Sequence, residues 1–371
     1  MVTQQNTANT FAKLLLKHAK ERPTQAAMRE KDLGIWQTIT WAEMAEEVKN
    51  LAHGFMTLGV QKGQHVAIVG ENRPRLYMSM MAAQSLGAIP VPMYQDAVAQ
   101  EMVYVLKDAE VSVVVVEDQE QADKMLEVHD QLPNLRHVIY DDPRGMRNYN
   151  EDLLMDYADL IEQGKAHCQK NPDLYMQNVE SLRADEPAAM FYTSGTTGNP
   201  KGVVLTHHAL IDRAEVIQRL ENLTDKEDVL AYLPPAWIGQ NMFSYTQFLT
   251  TGFTVNHPES PETVSIDMHD IGPTYYFSPP RVLEELLTTV SIRMEDASRF
   301  KKWLYKYFMD VAAKTGQRIL DKQSVGFGER FLYSLGNFFV YAPLRNALGM
   351  NRIKVAYTAG EAIGPDLFRF Y

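Results

Sequence analysis

The chain has 371 residues, 45% hydrophobic and 22% charged, with 36 Lys and Arg against 47 Asp and Glu and a formal net charge of −11. That balance excludes non-specific nucleic-acid binding and a membrane anchor held by charge alone, yet a local Lys or a bound Mg2+ can still receive an anionic substrate. Cys168 is the one cysteine, so no intrachain disulfide and no cysteine zinc cluster can form, and no run of about 18 apolar residues offers a membrane span.

The first residues, Met-Val-Thr-Gln-Gln-Asn-Thr, lack a basic segment followed by an apolar core. No signal peptide is evident, and a cytoplasmic location is the expectation. The length exceeds what one core serves. We therefore expect two α/β subdomains, residues 1–185 and 186–371.

Residues 11–22 place Phe11, Leu14, Leu15 and Ala19 at helical spacing, and Pro23 stops the helix. Residues 26–28 and 36–38 can pair as a hairpin across Gly34. Thr40 and Glu43 form a capping box ahead of a helix striped by Trp41, Met44, Ala45, Val48, Leu51, Ala52 and Phe55. Gly59 ends it.

Strands are then predicted at 65–69, 88–91, 111–116 and 135–140, with helices at 74–87, 100–109 and 119–132. Strands alternating with helices imply βαβ units and a mostly parallel sheet. Residues 111–116 are so apolar that both faces should be covered. Residues 141–186 read as one helix and a loop. Beyond them the pattern resumes: helices at 208–220, 239–250 and 297–315, strands at 229–233, 252–256, 275–277 and 354–358.

Residues 188–207 carry the chemistry: Ala-Ala-Met-Phe-Tyr-Thr-Ser-Gly-Thr-Thr-Gly-Asn-Pro-Lys-Gly-Val-Val-Leu-Thr-His. Two short apolar runs flank a turn holding Thr193, Ser194, Gly195, Thr196, Thr197, Gly198 and Lys201. Glycines let backbone approach a ligand, N–H groups and hydroxyls converge on an anion, and Pro200 stiffens the approach to Lys201, the loop's only cation. The loop suits nucleotide phosphates. It is not a Walker loop, because Pro200 precedes the Lys and Gly202 follows it. A second candidate is the strand-to-turn segment Ala356-Tyr-Thr-Ala-Gly-Glu-Ala362, with Gly360, Glu361 and Ala362 at the carboxyl end of a strand, where ligands of open α/β sheets sit.

The phosphate-loop string resembles that of the adenylate-forming (AMP-binding) superfamily. With residues 277–284 and the helix after 294, the chain is similar to long-chain acyl-CoA synthetases. The resemblance implies the N-terminal domain of the adenylate-forming fold. It implies ATP, Mg2+ and CoA as cofactor and co-substrates, a fatty acid as substrate, and an acyl-adenylate as intermediate. It further implies that Thr193 helps bind Mg2+, and that residues 194–201 hold the β- and γ-phosphates with Lys201 as catalytic cation. Gly360, Glu361 and Ala362 would lie at the adenine. Tyr232-Leu-Pro-Pro-Ala-Trp237 matches a segment that commonly ends Leu-Ala-His, so Trp237 is the candidate substrate-binding wall.

The family's aromatic-Gly-x-Thr-Glu motif and its C-terminal Lys would lie beyond Tyr371. The closing Leu367-Phe-Arg-Phe-Tyr371, a helix of under two turns without a cap and with three large apolar side chains, leads us to expect an N-terminal piece of a longer protein, inactive and poorly folded alone because this helix cannot form and pack Leu367, Phe368 and Phe370. Other readings remain: a ligase loading acyl-AMP onto a carrier protein, or a non-catalytic nucleotide- or acyl-binding protein. His207 and His208 adjoin the loop, where a ligand contact and a helix start after Thr206 are equally open readings; His167 and Cys168 have no spaced partners. For Trp303, Tyr307 and the Lys-rich face of the 297–315 helix, a solvated face over a core is favoured over peripheral contact with a bilayer.

Overall fold

The computed structural model describes residues 8–193 and 198–371. The chain packs into two compact units, Met1–Pro261 and Glu262–Tyr371. The boundary read from the sequence, at 185/186, falls inside the first unit, because the strands of residues 228–257 join a sheet with residues 26–40.

The first unit holds β1 (Ala26–Asp32), β2 (Ile35–Thr40), β3 (His65–Val69), β4 (Ile89–Met93), β5 (Val113–Val116), β6 (His137–Tyr140), β7 (Leu154–Asp156), β8 (Pro187–Thr193), β9 (Lys201–Thr206), β10 (Asp228–Leu230) and β11 (Thr254–His257). Its main sheet runs β4-β3-β5-β6-β7, and every neighbouring pair is parallel. The four valines of β5, in the middle of this sheet, are all buried, as expected for a strand covered on both faces. Helices Ala99–Asp108 and Gln119–Val128 add Met102, Leu106, Ala122 and Met125 to a core with Val114, Val116 and Val138.

A second sheet runs β10-β11-β1-β2. The β1/β2 hairpin is antiparallel and turns at Gly34, whose φ of 77° suits glycine. The capping box forms: Thr40 N donates to Glu43 Oε2 at 2.8 Å, and Glu43 N to Thr40 Oγ1 at 3.3 Å. It starts the helix Trp41–Thr57, whose first ring stacks on Phe248 at 4.7 Å. Where that helix meets Tyr157–Lys170, Gly164 leaves room for backbone: a Cβ there would stand 1.9 Å from the Asn50 carbonyl oxygen.

The second unit contains the parallel pair β12 (Tyr275–Phe277) and β13 (Val355–Tyr357), with helices Pro280–Glu295, Arg299–Val311 and Phe327–Gly336. Among the described residues no helix is long and apolar enough to cross a membrane.

Three expectations are corrected. Residues 141–186 hold β7 and two helices, Tyr157–Lys170 and Leu174–Ser181, rather than one helix and a loop. The 239–250 and 297–315 helices each contain wide π turns, at Asn241–Thr246 and Ala312–Gly316. The last helix forms over Pro365–Phe370 but packs only in part: Leu367 is buried and the Tyr371 hydroxyl donates to the Leu283 carbonyl at 2.8 Å, while Phe368 stays exposed as expected.

Candidate nucleotide-binding site

The phosphate-loop candidate lies on the antiparallel β8/β9 pair, whose base is fastened and whose described far end, Thr193 and Lys201, is exposed. At the base, Gln84 Nε2 donates to the Ala188 carbonyl at 2.7 Å, and Tyr245 in turn donates to Gln84 Oε1. Lys62 Nζ meets Glu186 Oε1 at 2.6 Å. His208 N donates to the Ala184 carbonyl at 2.7 Å. Thr206 caps the following helix, His207–Glu221, by accepting from Ala209 N.

His207 belongs to this foundation and not to the ligand. It is buried, packs edge-on against Phe11 at 5.2 Å, and its Nδ1 accepts from Phe11 N at 3.3 Å. The proton of the neutral ring therefore sits on Nε2. Burial lowers its pKa to about 4. His167 pairs instead with His53, Nδ1 to Nδ1 at 2.8 Å, between two helices of the first unit. Cys168 is half-buried.

At the tip, the register sets Thr193 opposite Lys201 and Tyr192 opposite Gly202. Both Thr193 and Lys201 are exposed. Gly202 makes the pairing close, since a Cβ there would stand 2.9 Å from Met190 Sδ. Gly198 has φ 133°, a conformation that favours glycine, with nothing within 4 Å of a Cβ. Ser194, Gly195, Thr196 and Thr197 lie outside the described residues.

A hydroxyl and an ammonium on adjacent strands, beside open backbone, fit a polyphosphate. Among the described residues no group of three or more His, Cys, Asp or Glu gathers for a metal.

The adenine candidate lies in the second unit. β13 pairs in parallel with β12, Tyr275 to Val355 through Phe277 to Tyr357, and Ser278 N extends the ladder to the Tyr357 carbonyl at 3.0 Å. The chain then turns at Gly360, φ 102°, and Glu361 and Ala362 are exposed. Thr358 Oγ1, at the carboxyl end of β13, is buried without a hydrogen-bond partner. An orphaned hydroxyl there fits a ligand that brings its own polar atom.

Trp237 lies at the start of the turn Ile238–Gln240, half-buried, with its ring over Gly239. Behind it is a buried polar cluster that sequence periodicity did not reveal. Asn72 Nδ2 donates to the Leu233 carbonyl at 2.6 Å, Tyr77 donates to Asn72 Oδ1 at 2.7 Å, and Gln240 Nε2 donates to Ser244 Oγ at 2.8 Å. The cluster ties the Pro-Pro-Ala-Trp segment to the end of β3. The only sequence signal for it was polar residues in stretches otherwise apolar.

Comparison with known proteins matches residues 15–371 to the AMP-binding enzyme family. A long-chain-fatty-acid–CoA ligase of Xenopus laevis (ACSBG2) is 28% identical over 93% of this chain and 46% of its own length. A second, of Mycobacterium tuberculosis (FadD15), is 27% identical over 98% of this chain and 58% of its own. The chain thus spans about half the length of these relatives. Acetoacetyl-CoA synthetase from Streptomyces lividans superposes with a TM-score of 0.66 over 97% of this chain and 48% of that one, at 18% identity. The anthranilate CoA ligase AuaEII, in complex with anthranoyl-AMP, gives 0.64 over 75% and 51%, at 19% identity. Parallel sheets flanked by helices, the Thr-Ser-Gly-Thr-Thr-Gly-Asn-Pro-Lys-Gly sequence and the match over residues 15–371 together make this chain a member of the AMP-binding enzyme family, with the fold of adenylate-forming ligase N-terminal domains.

Proposed function

We propose that the chain is the nucleotide-binding part of an ATP-dependent long-chain fatty acid–CoA ligase. A fatty acid carboxylate attacks the α-phosphorus of ATP, and the bond to pyrophosphate breaks to leave acyl-AMP. The CoA thiol then attacks the acyl carbon, and AMP departs, giving acyl-CoA. Lys201, with the loop's N–H groups and hydroxyls, would balance the charge that collects on the departing pyrophosphate. Thr193 would help hold Mg2+, which neutralises phosphate charge and orients the leaving group. Gly360, Glu361 and Ala362 would seat the adenine, and Trp237 would form a wall of the acyl site.

The observation that carries this reading is the cross-strand pairing of the exposed Thr193 with the exposed Lys201 on a strand pair fastened at its base. The fatty acid as substrate is supported by the names of the relatives, both long-chain-fatty-acid–CoA ligases. The test supplies the full-length protein with ATP, Mg2+, palmitate and either CoA or a thiol-bearing carrier protein. Palmitoyl-CoA and AMP in equal amounts support the reading. Acyl transfer to the carrier alone would make the protein a carrier-loading ligase. Neither product, with ATP still bound, would leave a binding protein. Trp237→Ala should shift chain-length preference more than the KM for ATP; an unchanged preference would make Trp237 a packing residue.

A further inference from the structure

Helix Arg299–Val311 carries Phe300, Trp303 and Tyr307 at spacings of three and four, so the rings share one face. They form a ladder: Phe300 to Trp303 spans 6.1 Å and Trp303 to Tyr307 5.7 Å, with ring planes 29° and 15° apart. Their exposures are 67%, 59% and 42%. The side that docks on its own unit is a different one: Phe308 is buried, and the Tyr341 hydroxyl donates to its carbonyl. The ring ladder is therefore not the helix's core side. Single exposed apolar residues are ordinary, but stacked ones in series are not.

Charge says what this face meets. Residues 299–314 hold Arg299, Lys301, Lys302, Lys306 and Lys314 against Asp310, in a chain whose net charge is −11. Arg299, Lys301, Lys306 and Lys314 are exposed. At about 100° per residue, Arg299 and Lys306 fall beside the ring ladder, with the exposed Asp310 the one acid on that side. Aromatic rings flanked by lysines match a headgroup layer, which accepts amphipathic rings at its apolar boundary and cations at its phosphates. A second copy seated on the same face would set lysines against lysines.

We propose that this face docks on an anionic lipid bilayer, with Phe300, Trp303 and Tyr307 in the headgroup region and the flanking cations on lipid phosphates. The inference is independent of the ligase reading, since it uses none of the nucleotide-site residues. The test is flotation of the full chain with vesicles of phosphatidylcholine mixed with phosphatidylserine, and with pure phosphatidylcholine vesicles. Binding should appear with the anionic vesicles and weaken as salt rises. Phe300→Ser with Trp303→Ser should lower partitioning roughly ten-fold, and Arg299→Glu with Lys306→Glu about as much, with melting temperatures unchanged. Absence of binding to anionic vesicles overturns the proposal. So does binding that neither double variant weakens. A solution dimer that the ring variant dissociates, without vesicle binding, would assign the face to a second copy.

Discussion

Residues 1–261 hold 22 Lys and Arg against 35 Asp and Glu, whereas residues 262–371 hold 14 against 12. The two units also differ in where their rings go. Among the described residues of the first unit no Phe or Trp is exposed; in the second, Phe300, Trp303, Phe327, Phe331, Phe338 and Phe339 all are. The first unit has a five-stranded and a four-stranded sheet to cover its rings; the second shows only the β12/β13 pair. Buried aromatics hold a fold together, while exposed ones leave apolar surface for binding. The acidic unit should thus carry the greater dependence on its rings, and the basic helices of the other should tolerate losing theirs.

That contrast can be broken most sharply at Trp41, which is fully buried between His18 at 4.5 Å and Phe248 at 4.7 Å. Trp41→Ala should cost about 3–5 kcal/mol in denaturant titration. A loss near that of a surface residue would show that the first unit does not rest on its aromatic core.

A smaller effect is expected at His207. Burial holds its folded pKa at about 4, below the 6.5 of an unperturbed imidazole. The unfolded chain takes up the proton first, so stability is lost as pH falls from 6.5 towards 4. The loss should be on the order of 3 kcal/mol for this one group. Glu30 and Asp141, pushed up by burial to about 7 and about 6, act in the opposite direction. The readout is therefore the melting-temperature gap between the natural chain and His207→Gln. That gap should narrow on acidification, and a constant gap would refute a buried neutral His207. The smallest effect belongs to the second unit: Phe331→Ser should change stability by no more than about 0.5 kcal/mol. A large loss there would show that the exposed ring supports its own fold.

The alternation of strands and helices was legible because β5 is four consecutive valines and because Gly34, Gly59 and the Thr40–Glu43 box punctuate the chain. β7 and the helix Leu174–Ser181 were not. They are short and half-exposed, and an edge strand of three residues leaves no period to detect. The π turn at Asn241–Thr246 was invisible for a related reason, since one extra residue per turn does not change composition. At the candidate site, Thr193 and Lys201 could be singled out as chemistry, but their facing register depends on how β8 and β9 pair. His207 looked equivalent to His208; only the packing of Phe11 against its ring separates a core histidine from its neighbour. Trp303 and Tyr307 looked like part of an amphipathic helix, and sequence alone did not say which stripe of that helix met the core.

The account rests on the claim that the β8/β9 tip holds nucleotide phosphates, and Lys201 tests it most directly. ATP–pyrophosphate exchange should be measured in the full-length protein and in Lys201→Ala, with melting curves of both. The side chain is exposed, so the fold should persist, and exchange should fall about 10²–10³-fold, the usual loss when one charge-stabilising donor is removed. Exchange at the natural rate in a folded Lys201→Ala variant would contradict the assignment of this hairpin to phosphate binding.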